Sequence, residues 1–125
     1  TWTEIEKDCP ITVEWLKSLP FNTFSRVRFM LLQPNGYIAP HQDIDKKDLC
    51  AYNIAITNPP NVEFAMEDAG LIPWKEGEFR AIDIGRKHAV RNVSDQNRIH
   101  MIIHGRHNNE FKKLFCESYD RLIYD

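Results

Sequence analysis

Between Arg26 and Gly105 the chain runs as seven short apolar segments parted by Gly, Pro and Asn, and this spacing constrains the fold more than any other feature. Val27 to Leu32 ends at Pro34-Asn35-Gly36, a turn signal that leads into Tyr37 and Ile38. Ala51 to Thr57 is closed by Asn58-Pro59-Pro60, and Val62 to Met66 and Phe79 to Ile84 follow. Gly85 breaks the last run, His88 to Val93 resumes it, and Asp95-Gln96-Asn97 turns into Arg98 to His104. Short strands at such intervals predict an antiparallel sandwich or barrel rather than an alternating β/α fold. Helical patterning is confined to the ends. Pro10 to Leu19 reads as a helix stopped near Pro20, and Phe111 to Tyr124 carries apolar residues at helical spacing. The expectation is one domain over residues 1–125, with a jelly-roll β core at about 26–105 and helical flanks at 1–25 and 106–125.

Composition narrows the function classes. With 42% hydrophobic and 27% charged residues in 125, the chain has the make-up of an ordinary globular domain. A net charge of -2 supplies no global attraction to nucleic acid or anionic lipid, so neither is expected as a partner. Cys9, Cys50 and Cys116 are odd in number and form no CxxC pair, which argues against a zinc knuckle or a disulfide framework. A reduced, cytoplasmic setting is the corresponding expectation.

Chemistry enters at His41-Gln42-Asp43. In an extended chain, residues two apart face the same way, so His41 and Asp43 can converge on one ion while Gln42 turns aside. Alone, such a triplet is weak evidence, and a polar strand end is its plainer reading. His88, after a strand and the Gly85 break, stands where a third ligand could arrive from the opposite side of a barrel. Two histidines and a carboxylate make a facial triad, which leaves metal positions open for a chelating co-substrate and dioxygen. Arg98 follows His88 by ten residues, across the Asp95-Gln96-Asn97 turn and on the next strand of a hairpin. A guanidinium fork there suits the distal carboxylate of 2-oxoglutarate, although a salt-bridging strand arginine is the plainer reading of Arg98 alone. His100 shares the Arg98 face of its strand, and it either touches the co-substrate carboxylate or is a hydrogen-bonded interior histidine.

Pro34 to Ile44 (PNGYIAPHQDI) followed by His88 to His104 (HAVRNVSDQNRIHMIIH) resembles the aspartyl/asparaginyl β-hydroxylase family of iron(II)- and 2-oxoglutarate-dependent oxygenases. The likeness covers about Arg26 to Gly105. It implies a double-stranded β-helix of cupin-like type, with His41 and His88 on iron(II), Arg98 on 2-oxoglutarate, and O2 as the second co-substrate. Asp43 is a departure from the animal enzymes, which lack a carboxylate there. It brings the chain nearer to bacterial and phage relatives and to the small-molecule proline hydroxylases. Where such proteins often supply an arginine to the chelating end of the co-substrate, the matching position holds Asn53, a neutral donor. The activity implied is hydroxylation of an aspartyl, asparaginyl or prolyl side chain, in a free amino acid or a peptide.

Other residues have plainer readings. The loop at Trp74 reads as held by an aromatic anchor rather than as a cap over a substrate pocket, Arg28 as an outward rather than inward strand residue, and Arg86, Lys87 and Arg91 as a solvated basic edge rather than a contact for an acidic substrate. His104 and His107 read as surface or supporting groups. Two rival functions fit the residues. A cupin-like isomerase or hydrolase would use the same triad with another metal and have no need of Arg98. A non-catalytic jelly-roll module would keep the histidines as interior polar groups.

Overall fold

A computed structural model describes residues 2–43 and 50–124, with the side chains of Cys50 and residues 122–124 outside the description. Ile44, which closes the first stretch of the motif, lies outside the described residues.

The chain divides into two compact units. The first holds a 3-10 turn (Glu4–Lys7), helix α1 (Pro10–Ser18) and helix α2 (Asn109–Tyr124). Pro10 opens α1, where its missing N–H is no loss, and Leu19-Pro20 ends it. Asn108 starts α2 by accepting the Phe111 amide at 3.2 Å, as a good N-cap does. Phe111 stacks on His107 and meets Phe21 at a tilt, with ring centroids 5.4 and 5.1 Å away.

The second unit, Phe24–Gly105, is the β part. The strands are β1 (Phe21–Leu32), β2 (Tyr37–His41), β3 (Cys50–Thr57), β4 (Val62–Met66), β5 (Gly70–Leu71), β6 (Phe79–Ile82), β7 (His88–Asn92) and β8 (Arg98–His107). They form two four-stranded sheets, ordered β1-β8-β3-β6 and β2-β7-β4-β5. Ala51 and Ile82 from the first sheet meet Phe64 and Val90 from the second in one core cluster with Ile84, so the core lies between the sheets. Leu32, Ile38 and Trp74 pack against it.

A mainly β core with helices at both ends agrees with the sequence. The double-stranded β-helix, a jelly-roll of cupin-like type, is corrected. Among the described residues the two sheets stay open and no ladder closes them into a barrel. β1 and β6 are the edges of one sheet and β2 and β5 those of the other, and β5 is only two residues long. The pair read as a hairpin is also corrected, because β7 and β8 belong to different sheets and the 93–97 connection crosses between them. Strand β1 begins at Phe21, earlier than the apolar run from Val27 suggests.

The Pro34-Asn35-Gly36 turn behaves as its residues require. Gly36 N–H donates to Gln33 O at 2.9 Å, with proline second and Asn35 at φ 62 third, the pattern of a type II turn. A Cβ on Gly36 would lie 2.9 Å from both Gln33 O and a Leu32 methyl. Asn92, fully buried, ties this turn to the β7–β8 connection. Its side chain donates to Leu32 O (3.0 Å) and Gln96 O (2.8 Å) and accepts from the amide and hydroxyl of Ser94 (3.1 and 2.6 Å).

Candidate metal centre

Strands β2 and β7 pair antiparallel, with Ile38 opposite Val90 and His41 opposite His88. Three steps along β2 match two along β7, so a one-residue bulge occupies Ala39–Pro40. Proline, which has no N–H to give a ladder, is at home there. A bulge re-aims the side chains beyond it, and here it sets His41 directly across from His88, their rings 4.3 Å apart. The two histidines thus come from neighbouring strands, which corrects the expected approach of His88 from the far side of a barrel.

Beyond β2 the chain is held to the turn before His88. The Asp43 amide donates to Ile84 O at 2.9 Å, and Gln42 Nε2 donates to Gly85 O at 2.9 Å. Gln42 therefore turns aside while Asp43 returns to the histidines. One ligand atom from each of His41, Asp43 and His88 lies within 4.8 Å of the others. Asp43 Oδ2 is 3.5 Å from His88 Nε2 and Oδ1 is 3.8 Å from His41 Nε2. These gaps exceed hydrogen-bond length and leave room for an ion among the three atoms.

Tautomers support the same use. His41 Nδ1 is 2.8 Å from Ala39 O, and His88 Nδ1 is 2.8 Å from Arg86 O. A carbonyl only accepts, so each Nδ1 carries a hydrogen, and each Nε2 is the ring atom left to face Asp43 and a metal. Fixing a ligand imidazole through its far nitrogen is the usual support of a metal-binding histidine. His88 is buried and lies parallel to the ring of Phe64, 6.1 Å away, whereas Asp43 is exposed. The centre thus has one packed side and one open side. Two imidazoles and one carboxylate suit iron(II) and leave coordination positions free.

Arg98 is 3% exposed on β8. Its Nη2 donates to His100 Nδ1 at 3.0 Å, and His100 Nε2–H donates to Asn58 Oδ1 at 3.0 Å. His100 is thus hydrogen-bonded inside the unit. Burial, and then the charge of Arg98, pushes its pKa down to about 3, so it is a neutral acceptor for the guanidinium. Burial lowers the pKa of Arg98 to about 10, which leaves it charged at neutral pH. Among the described residues no carboxylate pairs with Arg98, and its Nε has no partner.

Asn53 is buried on β3, across from Ile102 on β8 and Arg80 on β6. Strand alternation sets Ile102, His100 and Arg98 on one face, and Asn53 with them. His104 feels the opposing fields of Asp43 and of Arg28 and Arg26. Its pKa is lowered first by burial and then by the two arginines, against Asp43. Sequence reasoning missed Asn58 and Arg80. Asn58-Pro59-Pro60 carried only a turn signal, and Arg80 only the strand alternation of β6. Trp74 does more than anchor a loop, since its ring stands edge-on to both Phe64 (6.1 Å) and His100 (5.0 Å).

Two neighbouring strands of one sheet, with the residues just beyond β2, bring two imidazoles and a carboxylate to one point, the site of a metal-dependent catalyst. Several solved structures are similar in fold, three of which follow. A predicted oxalate decarboxylase from Thermotoga maritima matches with TM-score 0.52 and 15% identity, over 67% of this chain and 68% of its own. An RmlC-like cupin family protein from Methanocaldococcus jannaschii gives 0.51 and 14%, over 69% and 73%. A cupin domain from Bordetella pertussis gives 0.53 and 18%, over 68% and 84%. At such identities the likeness concerns fold alone. No curated protein matches the chain. Residues 1–108 match the family described as Aspartyl/Asparaginyl beta-hydroxylase, and the chain belongs to that family. Among the described residues no helix is long and apolar enough to cross a membrane.

Proposed function

We propose that the protein is an iron(II)- and 2-oxoglutarate-dependent dioxygenase that hydroxylates an amino-acid or peptidyl side chain of aspartyl, asparaginyl or prolyl type. The observation that carries this reading is a pairing: a triad of two imidazoles and a carboxylate, and a buried guanidinium with no carboxylate partner among the described residues. A cupin-like isomerase or hydrolase has use for the first and none for the second.

His41, Asp43 and His88 hold the metal, and Arg98 takes the distal carboxylate of 2-oxoglutarate. His100 fixes the guanidinium, and Asn53 offers its amide towards the chelating end. When bound, iron(II) and 2-oxoglutarate supply the dioxygen activation that hydroxylation of an unactivated carbon needs. The chain's own part is orientation: Ala39 O and Arg86 O hold the imidazoles, the 84–86 turn holds Asp43, and Phe64 backs His88. The exposed side at Asp43 leaves the substrate side chain a way in.

The test is anaerobic reconstitution with iron(II) followed by 2-oxoglutarate, read by the visible metal-to-ligand charge-transfer band. The expected result is a band that needs both additions and is lost in Asp43→Ala and His88→Ala. A wild-type protein that gives no band, or variants that keep it at full strength, would overturn the assignment.

A further inference from the structure

Among the described residues three buried side-chain nitrogens have no hydrogen-bond partner: Trp74 Nε1, Arg80 Nε and Arg98 Nε. Folded proteins rarely leave such donors unused, and three orphans scattered through a structure would have no common cause. These are not scattered. Arg98 Nη2 lies 3.0 Å from His100 Nδ1, the Trp74 ring centroid is 5.0 Å from that of His100, and the Arg80 guanidinium carbon is 5.5 Å from that of Trp74. One unbroken chain of contacts links all three. Sheet order agrees, since Arg80 lies across β3 from Ile102, which shares the inner face of β8 with His100 and Arg98.

Charge shows what is missing. Arg80 Nη2 is paired with Glu78 at 2.6 Å, which cancels that arginine but leaves its Nε idle. His100 is neutral, and Arg98 has no carboxylate among the described residues. Among the described residues the cluster therefore holds one uncompensated positive charge and three idle N–H donors, the complement of a small anion with several acceptor oxygens. Water would satisfy the donors but not the charge.

We infer that Trp74 and Arg80 are binding residues for the same dicarboxylate that Arg98 holds, with the indole N–H and the Arg80 Nε–H donating to its carboxylate oxygens. The inference rests on the functional reading above and extends it to two residues outside the triad and its arginine. Trp74 also covers the site, because its ring bridges Phe64, which backs His88, and His100, which holds Arg98.

The test is calorimetric titration of 2-oxoglutarate into iron(II)-loaded protein without oxygen, in wild type, Trp74→Phe, Arg80→Lys and Arg98→Ala. Trp74→Phe keeps an aromatic ring and Arg80→Lys keeps a charge, while each removes the idle donor. Each is expected to raise the Kd for 2-oxoglutarate about tenfold, the effect of one hydrogen bond to a charged group, with iron(II) affinity unchanged. Far-UV circular dichroism checks folding, and Arg80→Lys decides the matter if Trp74→Phe does not fold. Kd values within twofold of wild type in the folded variants, with binding lost in Arg98→Ala, would remove Trp74 and Arg80 from the site and leave the oxygenase reading intact. A wild-type protein that does not bind 2-oxoglutarate would remove both.

Discussion

Replacing Asn92 by alanine should loosen the frame on which both metal-binding histidines are hung. The side chain is fully buried and makes four hydrogen bonds, to Leu32 O, Gln96 O and the amide and hydroxyl of Ser94. A net contribution of about 1 kcal/mol each gives an upper figure near 4 kcal/mol. Partners that find water after the change reduce it, so the expected loss is about 2–4 kcal/mol. The backbone bonds Asn35 N–H to Asn92 O (2.8 Å) and Asn92 N–H to Gly36 O (2.9 Å) survive, so the fold should persist. Urea denaturation of wild type and variant at pH 7 would read the difference, alongside a fall in melting temperature of roughly 10 °C. Because Asn92 ends β7 and clamps the turn that starts β2, iron(II) affinity should weaken too, although no ligand is touched. A loss below about 1 kcal/mol would refute the reasoning, since it would mean the buried carbonyls and Ser94 are satisfied without Asn92.

Stability should also fall with acid in a way traceable to His100. Its folded pKa, held down to about 3, lies below the unfolded value, so between roughly pH 6.5 and 3 the unfolded chain binds the extra proton. The contribution is complete above that window and fades at up to about 1.4 kcal/mol per pH unit as pH drops through it. His100→Gln should flatten this slope in urea titrations at pH 7, 5.5 and 4.5, and an unchanged slope would assign the acid sensitivity elsewhere. Gly36→Ala should cost about 1–3 kcal/mol through overpacking against Gln33 O and Leu32, visible as a lower denaturation midpoint at unchanged slope.

Features set by neighbouring residues were legible before the structure. Pro34-Asn35-Gly36 announced its turn because proline and a left-handed asparagine act within four residues. His41 and Asp43 announced a shared target because strand alternation is equally local. Arg98 and His100 were legible as companions on one face for the same reason. Partnership between strands distant in the chain was not. Nothing in Val93 to Asn97 tells that the connection leaves one sheet for the other, and nothing in the apolar runs tells whether the sheets close. The bulge at Ala39–Pro40 was invisible too, because a bulge exists only relative to the strand opposite. Arg80 escaped, and Trp74 read as a loop anchor first and a pocket cap second, for a further reason. Their unused N–H groups stand out only when every other buried donor has been matched.

That bulge makes the metal centre a matter of odd and even. Ile38 and His41 are three residues apart and would face opposite ways along a regular strand, yet here Ile38 packs on the core and His41 meets His88. Straightening the ladder without shortening it would put Pro40 opposite His88 and swing the imidazole outward. A redesign aimed only at tidier strand pairing would thus produce a sounder sheet that had lost its chemistry. The irregular residue belongs to the catalyst as much as any ligand does.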